Sequence, residues 1–91
     1  MYEIVKFDGR GKALQLLFSE SLAMSKLFCL QNTTGKGKTV VYDLYTRKVV
    51  YSTKGTGRNC FPIVTFDASI PTMEEWNKKM GPDKVVRGRT H

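Results

Sequence analysis

Polar and apolar positions alternate from Tyr2 to Phe7, with Tyr2, Ile4 and Lys6 on one side and Glu3, Val5 and Phe7 on the other. That two-residue period predicts a β-strand. Asp8-Gly9-Arg10-Gly11-Lys12 follows, and its two glycines permit the positive φ values of a hairpin turn, so Ala13 to Phe18 is expected to return as a second strand. The period then changes. On a helical wheel Ala23, Leu27 and Leu30 line up beside Met24 and Phe28, while Ser21, Ser25, Lys26 and Cys29 fall opposite, which predicts an amphipathic helix over about residues 20 to 31. Ser19 or Ser21 can cap its start, Glu20 suits the positive end of its dipole, and Asn32 with Gly35 marks its stop.

Thr39 to Tyr45 and Val49 to Thr53 are rich in Val, Tyr and Thr and flank Thr46-Arg47-Lys48, the signature of a second hairpin. Residues 33–38 before it and 54–59 after it are basic, glycine-bearing loops. Pro62 pushes Phe61 to Phe66 toward an edge or irregular strand. Near the end, Thr72 and Glu75 form a capping box, Pro71 is placed to pack on Trp76, and Lys78 and Lys79 complement the last turn before Gly81 and Pro82 stop the helix. Met73, Trp76 and Met80 share one face of that helix, which should dock on the sheet. The expected fold is α+β: a mainly antiparallel sheet of four to five strands, in the order β-β-α-β-β-(β)-α, with the helices on one face. Residues 1–82 would form one domain and residues 83–91 a basic tail.

A chain of 91 residues holds one modest core, burying roughly two thirds of the surface its unfolded form exposes. Charge changes the picture more than size does. Fifteen Lys and Arg against eight Asp and Glu leave a formal charge of +7, which points to an acidic partner, either nucleic acid or an acidic protein surface. Cys29 and Cys60 are the only cysteines and form no C-x-x-C pair, so zinc and redox motifs are absent. Two buried thiols or a disulfide would both satisfy them. The lack of a basic-then-apolar leader favours the thiols and a cytoplasmic protein, and no apolar run approaches the roughly 20 residues of a membrane span.

Gly37-Lys38-Thr39 resembles the last three residues of a phosphate-binding P-loop, but Asn32 stands where the first glycine belongs, and a strand follows where a helix is required. The only histidine is His91, and Asp8, Asp43 and Asp67 occupy turns and strand ends, so no catalytic residue, metal site or cofactor is expected. The loops carry the signal. Lys36, Lys38, Arg47, Lys48, Lys54 and Arg58 lie between residues 33 and 58 against Asp43 alone. Loops 33–38 and 54–59 leave the hairpin at the end opposite Arg47 and Lys48, which would gather Lys36, Lys38, Lys54 and Arg58 into one anion-binding patch with glycine amides beside it. Exposed loops also use Gly and Lys for turns and solubility. Tyr42, Tyr45 and Tyr51 add aromatic faces suited to stacking on bases or to a protein interface.

A hairpin, an amphipathic helix and a second hairpin of the type Val40-Val41-Tyr42-Asp43-Leu44 to Val49-Val50-Tyr51 together resemble small orphan proteins of tailed-phage genomes, over about residues 2 to 53. That resemblance implies an inhibitor that blocks a host enzyme or defence complex by direct protein contact. The leading expectation from the residues themselves is a non-enzymatic basic module that engages an acidic surface. A third reading is sequestration of a small anionic nucleotide between the glycine loops, which a chain of this size would enclose only as a homodimer.

Overall fold

The computed structural model describes residues 1–8, 12–57 and 62–84. Seven elements follow one another: β1 Tyr2–Phe7, β2 Ala13–Ser19, α1 Leu22–Asn32, β3 Lys38–Asp43, β4 Lys48–Lys54, β5 Ile63–Val64 and α2 Met73–Lys84. The strands form one antiparallel sheet in the order β2-β1-β3-β4-β5. Two local hairpins, β1–β2 and β3–β4, are therefore joined edge to edge by β1 and β3. As expected for a segment led by proline, β5 is a short edge strand.

The two helices lie on opposite faces of the sheet, which corrects the expectation that they share one. Val5, Phe7, Val40 and Tyr42 bury against Met73 and Trp76 of α2, whereas their strand neighbours Ile4 and Val41 bury against Cys29 of α1. Successive side chains point to opposite faces, so a strand covered on both sides must be apolar at consecutive positions. Ile4-Val5 and Val40-Val41 meet that demand. Register shifts at Ile4/Val5 and Val41/Tyr42 leave Leu16 and Val50 as extra residues, and each joins its successor, Leu17 or Tyr51, against the α1 side.

Helix α1 starts where a serine can satisfy its free amides: Ser21 Oγ accepts from Met24 N at 3.2 Å. Its orientation inverts the usual rule that an amphipathic helix buries its apolar stripe. Ser25 and Cys29 are buried, with Leu22 and Phe28 packed beside them, whereas Ala23, Met24, Leu27 and Leu30 face solvent. Small inward residues let the helix sit close to a sheet already filled by Ile4 and Val41, and Ser25 Oγ donates to Ser21 O at 2.7 Å, so that buried hydroxyl is satisfied.

The capping box of α2 is formed as its sequence predicts, with Thr72 N donating to Glu75 Oε1 at 2.8 Å and Glu75 N to Thr72 Oγ1 at 3.1 Å. The helix does not stop at Gly81 and Pro82 but runs through them to Lys84. Proline lacks an amide hydrogen to donate to the carbonyl four residues back, but its fixed φ is helical, so it can be carried near a helix end. The expected tail from residue 85 onward lies outside the described residues. No helix of the described residues is long and apolar enough to cross a membrane.

Candidate anion-binding site

The loops on either side of the β3–β4 hairpin are brought together by backbone bonds that extend the ladder beyond its strands. After the Lys38–Lys54 pair, Gly55 N donates to Gly37 O at 2.8 Å and Gly57 N to Gly35 O at 3.1 Å. Glycine is required at position 55. A Cβ there would lie 2.2 Å from Gly35 O, closer than any side chain could tolerate. Gly35 itself adopts φ +59°, the left-handed conformation that closes the turn from Thr34 to Gly37.

A buried hydroxyl cluster anchors this loop pair to the core. Thr33 Oγ1 donates to Cys29 O at 2.6 Å, capping the last turn of α1, while the hydroxyls of Thr39 and Thr53 lie 2.9 and 2.5 Å from it. One residue from each of α1's exit, β3 and β4 is thereby fixed. The loop that carries Lys36 leaves from that anchor.

The same end of the sheet receives the β1–β2 turn, because Phe7 pairs with Lys38 and with Ala13. Lys6 and Lys12 therefore join Lys36, Lys38 and Lys54 there, two cations that reading the hairpin loops alone missed. The register of β1 beside β3, invisible until the two hairpins are joined, is what adds them. Lys12, Lys36 and Lys54 are exposed and have no ion-pair partner among the described residues. Lys6 Nζ donates to Thr34 Oγ1 at 3.4 Å, tying β1 to the loop that carries Lys36. A hollow of about 390 Å³ opens beside them, lined by Lys6, Asp8, Lys12, Ala13 and Leu14. Asp8 serves the turn by accepting from Lys12 N at 2.8 Å.

Other expected site residues are either engaged by neighbours or placed elsewhere. Lys38 is not a free cation: its Nζ lies 3.5 Å from Asp67 Oδ1 and donates to Ser69 Oγ. The Ser69 hydroxyl and amide, with Lys38, hold the Asp67 carboxyl below its ordinary range. Arg47 and Lys48 sit at the far end of the sheet, where they line a groove of about 500 Å³ with Phe66 and Ile70. Arg47 Nε is 3.2 Å from Glu74 Oε2, and Arg47 takes a left-handed φ of 62° in a turn closed by its amide on Asp43 O. Arg58 lies outside the described residues, as does Cys60.

The tyrosines do not form one stacking surface. Tyr42 is fully buried on the α2 side and donates its hydroxyl to Pro71 O at 2.8 Å, with burial first and then Glu3 and Glu75 pushing its pKa up. Tyr51 packs on the α1 side beneath Lys26, whose Nζ lies 5.4 Å from the ring centre. Tyr45 is 91% exposed in the far turn. Their odd spacing and the Val50 bulge split them between the two faces and the turn.

The fold and this end of it define a small α+β protein with cationic, glycine-bearing loops at one end of its sheet. No protein-family model matches the chain, and no curated protein or solved structure matches it.

Proposed function

We propose that the protein is a non-enzymatic binding module of the cytoplasm whose cationic sheet end engages an acidic surface, foremost the phosphate backbone of a nucleic acid. The carrying observation is the Gly55–Gly37 and Gly57–Gly35 ladder, which holds Lys36 and Lys54 on adjoining loops at the end where Lys6 and Lys12 lie. A base already fixed by backbone bonds adds no cost of ordering the loop when the lysines meet phosphates, and each neutralised phosphate releases counterions. Stacking by the tyrosines plays no part in this reading, which leaves contact with the backbone and little discrimination between sequences.

Five carboxylates support a binding role over a catalytic one, because they are engaged in structure: Asp8 and Asp43 close turns, Asp67 holds Lys38, Glu74 holds Arg47, and Glu75 completes a cap. Cys29 is a buried thiol whose pKa burial pushes up to about 12, which makes it a core residue rather than a nucleophile.

Fluorescence anisotropy on a labelled DNA duplex across a salt series tests the reading. Replacing Lys12, Lys36 and Lys54 together by Ala should weaken binding and reduce the slope of log affinity against log salt by up to about 2.7, at ~0.9 per phosphate contact. An unchanged slope would remove the phosphate role. Retention on an acidic protein with no retention on nucleic acid would transfer the site to a protein partner.

A further inference from the structure

Helix α1 presents Ala23, Met24, Leu27 and Leu30 to solvent, with Met24 60%, Leu27 46% and Leu30 38% exposed. Single exposed apolar residues are ordinary, but here they recur at i, i+4 and i+7 along one stripe, the spacing of a seam between two helices. The stripe contains no charged residue in a chain of formal charge +7, and Lys26, the one cation of the helix, is turned aside onto Tyr51. It is thus a place where two copies of a strongly basic molecule can meet without apposing lysines.

The two ends of the stripe differ in sign. Glu20 precedes the helix, is exposed, and has no ion-pair partner among the described residues; Lys36, equally free, lies just beyond the helix C-terminus. A surface with a carboxylate at one end and an ammonium at the other complements itself when reversed by a two-fold axis. We propose that α1 docks antiparallel against α1 of a second copy, with the axis passing at Leu27, the middle residue of Leu22–Asn32. Met24 then faces Leu30 of the second copy, Ala23 faces its Gln31, and Glu20 reaches the loop that carries its Lys36. The resulting dimer stacks its layers as α2, sheet, α1, α1, sheet, α2, with the loop that carries Lys36 at the rim of the seam. One helical stripe is smaller than the ~800 Å² per partner of a typical stable interface, so association in the micromolar range is expected.

Sedimentation velocity on nuclease-treated full-length protein, up to about 100 µM, tests this. The expected result is a concentration-dependent dimer that Leu27→Asp converts to a monomer with an unchanged far-UV circular dichroism spectrum, since position 27 is on the surface. Glu20→Lys and Lys36→Glu should each weaken association several-fold, and the double reversal in one chain should restore it. A monomer at every concentration, which would leave the stripe to a different protein, overturns the proposal. So does a dimer that Leu27→Asp leaves intact. A dimer lost in Leu27→Asp but indifferent to both charge reversals overturns the antiparallel register.

Discussion

Trp76 joins the outer helix to the centre of the sheet through two different interactions. Its ring meets Phe7 edge-on, with centroids 5.9 Å apart at 81°, and its Nε1 donates to the buried Glu3 carboxylate at 3.3 Å. Trp76→Ala should cost about 3–5 kcal/mol in chemical denaturation, because a fully buried aromatic is lost. Trp76→Phe keeps most of the packing but removes one donor from Glu3, so a smaller loss of about 1–2 kcal/mol is expected. Equal losses in the two variants would show that the hydrogen bond to Glu3, and not the packing of the ring, carries the effect. Burial raises the pKa of both Cys29 and Tyr42, so folding favours their protonated forms. Their contribution to stability is complete below the ordinary values of 9.0 and 10.0 and is lost as pH rises through the folded ones. Denaturation curves should therefore weaken above pH 9 in the native protein. Tyr42→Phe should flatten the part of that decline above 10, and Cys29→Ala the part that begins near 9.

At the scale of elements, the joined loops depend on a close approach that only glycine allows. Gly55→Ala would drive a methyl group into the Gly35 carbonyl, so we expect destabilisation of at least about 1 kcal/mol and faster hydrogen exchange at the Gly57 amide. A slowed or unchanged Gly57 exchange would refute the ladder's importance. Strand periods, the capping box and the turn residues were legible in the sequence because each depends on neighbours a few positions away. Placing α2 on the face opposite α1 was not read, although Val40-Val41-Tyr42, an unbroken apolar run, belongs to a strand covered on both sides. The wheel of α1 grouped Ala23, Met24, Leu27 and Leu30 on one side and Ser25 and Cys29 on the other, as the structure does, but it placed Phe28 with the first group and Lys26 with the second, whereas Phe28 packs inward and Lys26 is exposed. Which side turns inward was decided by the space above Ile4 and Val41 and by the Thr33–Thr39–Thr53 hydroxyls, contacts between residues far apart in the chain. For the candidate site, the convergence of the loops at 33–38 and 54–57 followed from hairpin geometry. The neutralisation of Lys38 by Asp67, and the arrival of Lys6 and Lys12, needed the tertiary register.

At the scale of the whole molecule, Lys6, Lys12, Lys36 and Lys54 gather at one end of the sheet among the described residues, and this crowding opposes folding by self-repulsion. A polyanion that binds the folded form should relieve it and raise the melting temperature. Inorganic polyphosphate is expected to stabilise the native protein, and to do so far less after Lys12, Lys36 and Lys54 are replaced by Ala. Equal stabilisation of both proteins in a thermal melt would place the polyanion effect elsewhere on the surface.

The seam between β1 and β3 carries a consequence for how the chain reaches this state. Each hairpin can zip from its own turn within microseconds, but neither can bury both faces of its inner strand until Val5 meets Val40. The slow event is then the lateral docking of two preformed ribbons, and the barrier belongs to that encounter. Truncating Val5 or Val40 should slow refolding, whereas trimming Leu17 or Val49 at the flanks should mainly hasten unfolding.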